Sequence, residues 1–148
     1  MDKDTPQEIT TKYIKDLYSK AAHHSEQARI FGEEGFRQLS HLLYQLAEKE
    51  TDFRERLAAT VGLATIPKTE ELLTLREPEE YVNYYLENSL REIDELRQAI
   101  TSLEGAGSTA AGILKEYLAL REEGLTWQDA QIDTINESGV EKWRELMR

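Results

Sequence analysis

Arg121–Trp143, REEGLTWQDAQIDTINESGVEKW, carries the signal that orders the rest of the chain. Arg121, Leu125, Gln128, Ile132 and Ile135 recur at steps of three and four, the spacing of one face of an α-helix. Asn136-Glu137-Ser138-Gly139 then breaks it, and Val140 to Met147 is left as a short fifth helix. Upstream, Leu114 and Leu118 extend the same stripe, so a fourth helix is predicted over residues 109–136, capped by Ser108 or Thr109.

Working outward, Gly105-Ala106-Gly107 ends a third helix that Pro78 opens, predicted over 78–104. Its seam is Val82, Tyr85, Ser89, Glu92 or Ile93, Leu96, Ile100 and Leu103. Thr5-Pro6-Gln7-Glu8 has the form of a capping box with proline in the first turn, and it starts a first helix over 6–32. The seam there is Ile14, Leu17, Ala21, His24, Ala28 and Phe31. A second helix over 34–62 carries Phe36, Leu39, Leu43, Leu46, Glu50, Phe53, Leu57 and Val61 before Gly62 stops it. Short links make the first two helices, and the last two long ones, antiparallel hairpins. Residues 63–77, LATIPKTEELLTLRE, contain Pro67 and lack a long-helix period. They read as a crossover with one turn of helix that lets the second and third helices run parallel. At 148 residues the chain is a single all-α domain, 1–148.

The balance of 18 basic against 29 acidic residues gives a formal net charge of -11, which excludes a nucleic-acid footprint because phosphate binding needs clustered Lys and Arg. Cysteine is absent, so disulfides and thiolate metal sites are excluded, and a reducing compartment is compatible. No apolar run approaches the roughly 20 residues of a membrane span, and the polar start MDKDTPQEITTKY has no leader character. A cytoplasmic location without membrane partners is the expectation.

The run Glu122-Glu123-Gly124-Leu125, Trp127, Ile132-Asp133-Thr134-Ile135 and Gly139-Val140-Glu141-Lys142-Trp143 resembles the C-terminal part of bacterioferritins. Those proteins pass there from Glu-Glu-x-His through a Trp-containing acidic stretch to a Leu-Asp-Leu-Ile turn. Ala28-Arg29-Ile30-Phe31, Gly62-Leu63 and Leu96-Arg97-Gln98-Ala99-Ile100 are similar to the ends of the family's first and second helices and the middle of its third. DNA-protecting miniature ferritins are a weaker second resemblance. The likeness implies a ferritin-like four-helix bundle with a long crossover between the second and third helices and a short C-terminal fifth helix.

It also implies where a di-iron ferroxidase centre would lie. Such a centre takes about six ligands: one Glu from each of two helices and a Glu-x-x-His from each of the others. On this chain the pattern falls on Leu17, on Ser89, and on Glu122 with Leu125. On the second helix it falls on Glu50 and Phe53, or one turn earlier on Leu46 and Lys49. Folding the first hairpin about residue 34 puts Leu17 level with residue 51 and favours the Glu50 assignment. The layer thus implied has apolar side chains where iron would be held, with Glu50 and Glu122 as vestigial metal ligands. Arg121, on the same seam, is the expected partner of Glu50. Haem is not expected, because the only methionines are Met1 and Met147 and the position implied for the haem ligand is Thr51.

His23, His24 and His41 are the only histidines. By hairpin arithmetic His24 faces residue 44, roughly 10 Å along the axis from the Leu17 layer. Either it bonds to Tyr44 or a carbonyl, with His23 and His41 in solvent, or His24, His41 and Glu26 or Gln27 form a relocated metal site. The tyrosines read as packed rings with wet hydroxyls. No Gly-rich phosphate loop or Gly-x-Ser-x-Gly turn is present.

The resulting expectation is a bacterioferritin-like protein with a degenerate ferroxidase centre: a non-catalytic or weakly iron-binding subunit in iron storage, assembling with itself or with a ferritin-family relative. Iron is the one candidate cofactor. The alternatives are a structural or regulatory interaction protein on a scaffold that has abandoned iron, and a metalloenzyme using His24 and His41.

Overall fold

The computed structural model describes residues 4–62 and 72–148, which form five helices and, among the described residues, no strand. These are α1 (Pro6–Glu33), α2 (Arg37–Val61), α3 (Pro78–Gly105), α4 (Ala110–Ser138) and α5 (Val140–Met147). Among the described residues no helix is long and apolar enough to cross a membrane.

The helix ends follow their local chemistry. Thr5 accepts from the Glu8 amide at 3.1 Å, and its hydroxyl donates to the Glu8 carboxylate at 3.1 Å, tightening the first turn of α1. Gly35, at φ 91°, turns the chain between α1 and α2, so α2 begins at Arg37 rather than at residue 34. For α4 it is Ser108, not the N-cap Thr109, that accepts from the Ala110 amide, at 3.3 Å. The helical turn expected within 63–77 falls partly on 63–71, outside the described residues; residues 72–76 are not helical.

The two hairpins, α1 with α2 and α3 with α4, dock so that α1 neighbours α3 and α2 neighbours α4. Lys20 meets Glu92 and His23 meets Tyr85, which makes α1 antiparallel to α3. It follows that α2 and α3 run parallel, and the chain must travel the length of the bundle between them. Gln27 fastens the end of that return: its amide donates to the Leu75 carbonyl at 2.8 Å and accepts from the Leu75 amide at 2.7 Å.

Apolar packing is concentrated at the two ends. One cluster, around Ile14, Leu17, Leu57, Leu96, Leu103, Leu114 and Tyr117, sits where α1 starts. The other, around Phe31, Leu39, Leu43, Tyr81, Val82 and Trp143, sits where α1 ends. Trp143 is fully buried and donates its indole N–H to Gln131 at 2.8 Å, so α5 folds back on its own bundle. Between the clusters lies a band rich in polar groups.

Candidate functional site

Three of the positions assigned to an iron layer do face the interior. Leu17 is 0%, Glu50 1% and Ser89 1% exposed, while Phe53 and Leu125 are half-buried. Phe53 packs against the Tyr117 ring, with centroids 5.7 Å apart.

Glu122 does not join them. It is exposed on the side of α4 that faces α3, paired with Arg97 at 3.0 Å. The cause is rotational: Arg121 takes the inward-facing slot, and the next residue lies about 100° further round the helix. Glu50 and Glu122 therefore share no site.

Arg121 does not pair with Glu50 either. Its guanidinium donates to Glu92 at 3.2 Å and to the Tyr117 hydroxyl at 3.0 Å. Glu92 also accepts from Lys20 at 3.0 Å, and Lys20 in turn donates to Asp16 at 3.0 Å. This chain of charges crosses from α1 through α3 to α4. Lys20 is 6% exposed, and the Arg121 side chain 10%. Burial alone would raise the Glu92 pKa, but the charges and hydrogen bonds of Lys20 and Arg121 outweigh it and hold the carboxyl below its usual range. Burial pushes the Tyr117 phenol up to about 12, so at neutral pH it takes part as a neutral hydroxyl.

Glu50 is instead met by His24 Nδ1 at 2.7 Å, both side chains being 2% exposed. Hairpin arithmetic on Cα positions misses this contact because helical side chains lean toward their own N-terminus. In an antiparallel pair the lean carries His24 away from the interhelix link and brings Glu50 toward it, closing most of the axial gap. His24 lies against the rings of Tyr85 and Tyr81, with centroids at 4.9 Å and 5.8 Å. The far ring nitrogen, Nε2, is buried, and no described protein group hydrogen-bonds to it. Tyr44, the alternative partner, is 45% exposed on the outside.

His23 is buried, at 6% exposure, rather than in solvent. Its Nε2–H donates to the Leu73 carbonyl at 2.8 Å, which leaves Nδ1 to accept from the Tyr85 hydroxyl at 2.6 Å. That arrangement suits the neutral imidazole. Burial lowers the His23 pKa, with the nearby His24 and Lys20 adding to the fall and the Leu73 hydrogen bond offsetting part of it. Burial likewise raises the Tyr81 and Tyr85 pKa values well above the ordinary phenol range.

His41 is exposed while His24 is buried, and the two share no cluster of ligating side chains among the described residues, so the relocated His24–His41 site finds no support. Among the described residues no group of three or more His, Asp or Glu side chains converges closely enough to hold a metal ion. A di-iron cluster, with its need for about six such donors, does not fit this band. What the band can do chemically is orient protons and hold fixed charge between two apolar ends.

The sequence reading missed Lys20 and the inward turn of His23. The one visible trace was Asp16 and Lys20 at i and i+4, a spacing that predicts an ion pair without saying that it is buried.

No protein-family model matches the chain. Part of it is similar to the protein phosphatase PhpP of Streptococcus pneumoniae, at 34% identity over 65 residues, which is 44% of this chain and 23% of the phosphatase. The serotype 2 protein and those of other strains give the same figures. The chain thus spans less than a quarter of the length of the curated relatives it matches.

Proposed function

We propose that this chain is a ferritin-like bundle, related to bacterioferritins, that serves as a non-catalytic structural or regulatory interaction protein. The fold part of this reading is supported by helix order and adjacency: two antiparallel hairpins, parallel α2 and α3, and a short α5 after the fourth long helix. The single observation that carries the functional part is the separation of the carboxylates. Glu50 is bonded to His24 in the interior while Glu122 is bonded to Arg97 outside, so the side chains that would grip iron do not converge.

A second reading, that the chain holds one cation weakly, is favoured by one feature. His24 has a carboxylate on Nδ1 and an unpartnered buried Nε2, the arrangement by which a carboxylate orients a ligating imidazole. Metal analysis after ferrous loading and gel filtration separates the two. Near-zero iron on a small, defined oligomer is the expected result. Many irons per chain would refute the leading reading, and one weakly held metal per chain, retained at equilibrium dialysis and lost in His24→Ala, would establish the second.

A further inference from the structure

We infer that the groove between α3 and α4 is a docking surface for a basic amphipathic helix of a partner protein. This names the partner chemistry for the interaction-protein reading and rests on it.

Ion pairs fix which sides of the two helices face each other. Arg97 meets Glu122 at 3.0 Å, and Glu104 meets Lys115 at 2.6 Å. On α3, Leu86 and Leu90 precede Arg97 at helical spacing and fall on that same side. On α4, Leu125, Asp129 and Asp133 follow Glu122 at steps of three, four and four. Leu90 is 66% exposed, Leu86 and Leu125 are half-buried, and none of the three belongs to either apolar cluster. The surface between the two helices therefore presents leucines, Leu90 the most open of them, beside acids on the α4 side.

Two of these acids are unpaired: Asp129 and Asp133 are exposed and make no ion pair among the described residues. They stand in the C-terminal half of α4, whose last turn carries no basic residue to answer them. A cationic helix laid in the groove would neutralise them and cover Leu90 with its own apolar stripe. Charge selects this occupant over a second copy of the chain, which at a net charge of -11 would bring acids against acids.

The test uses the full chain and a fluorescein-labelled synthetic helix with leucines at i, i+3 and i+7 and lysine or arginine on the flanks, titrated by fluorescence anisotropy. Saturable binding is expected, weakened by about tenfold or more both in Leu90→Ala and in the double variant Asp129→Lys with Asp133→Lys. The double variant should melt close to the parent, since both positions are exposed and neither makes an ion pair among the described residues. Glu48→Lys with Glu55→Lys, the same change of charge on exposed positions of α2, should shift binding by less than about twofold.

Absence of saturable binding overturns the inference. So does equal binding of a peptide with the same composition in scrambled order, or equal loss in the α2 control, because either would make the attraction non-specific. Self-association of the parent that Leu90→Ala abolishes would give the groove to a second copy and overturn it as well. None of these outcomes touches the metal-free reading, which stands or falls on iron loading.

Discussion

Replacing Glu92 by leucine removes the acceptor shared by two cations inside the bundle. Lys20 keeps Asp16, but Arg121 is left with only the neutral Tyr117 hydroxyl. At 3.0–3.2 Å and an effective dielectric of about 20, each lost contact is worth about 5 kcal/mol of attraction before desolvation is set against it. Glu92 is itself only 20% exposed, so solvent screening trims this little. The net loss for stranding a buried charge is roughly 3–5 kcal/mol. For a chain of this size that corresponds to a fall in melting temperature of about 10 °C. Circular dichroism melts and urea titrations at pH 7 would measure it. Replacing all three groups, Lys20→Met, Glu92→Leu and Arg121→Met, should recover most of the loss, because an apolar set of similar volume avoids the desolvation penalty. A single variant that melts within about 2 °C of the parent would refute the reasoning. The same holds if the triple variant is no better than the single one.

Other outcomes follow from the same geometry. The Glu92 carboxyl is held below its usual range in the fold, so its contribution is present above the unfolded carboxylate pKa of about 4.3 and is lost as pH falls through the folded value; Glu92→Leu should flatten the acid limb of stability against pH. His23 is also shifted down, but as a base: the unfolded chain takes up its proton first, so stability should decline as pH drops below about 6.5, and urea titrations of His23→Gln should show a shallower decline. Glu122→Leu removes only an exposed pair with Arg97 and should change stability by less than about 1 kcal/mol in the same assay. Gly112, in the first turn of α4 with no described atom within 4 Å of an added methyl group, should accept alanine with a gain of about 0.4–1 kcal/mol. Gly62→Ala, equally open among the described residues but at φ 65°, should instead lose about 1 kcal/mol to backbone strain, and paired thermal melts would show the opposite signs.

The helices were legible because their seams are long and their ends are marked. Pro6, Pro78 and Gly62 stand at boundaries that the structure keeps, and the seam positions Ile14, Leu17, Leu39, Leu57, Val82, Leu96 and Leu114 are all buried. Glu50 on the second seam is also inside, as its spacing implied. Spacing also put Arg121 on the inner face and left Glu122 off it; only the family pattern set Glu122 among the ligands, and what spacing could not convey is which carboxylate answers the arginine. Nor could it convey the lean of side chains along the axis, which brings His24 to Glu50. His23 escaped for a related reason: it stands next to the seam residue His24, and it is the returning segment at Leu73 and the α3 tyrosines at positions 84 and 85 that enclose it.

The buried charges also determine how the two hairpins can slide past one another. Sliding α1 along α3 by one turn, about 5.4 Å, would take Lys20 away from Glu92 and toward Leu96 or Asn88. At the same time His23 would lose the hydroxyl of Tyr85. Leucine seams tolerate such a shift almost equally well in several positions, whereas point charges have one setting in which every one of them is answered. The band across the middle thus acts as a vernier: it selects one alignment from several that the greasy ends alone would accept, and a chain made wholly apolar there should be hardier yet less singular in shape.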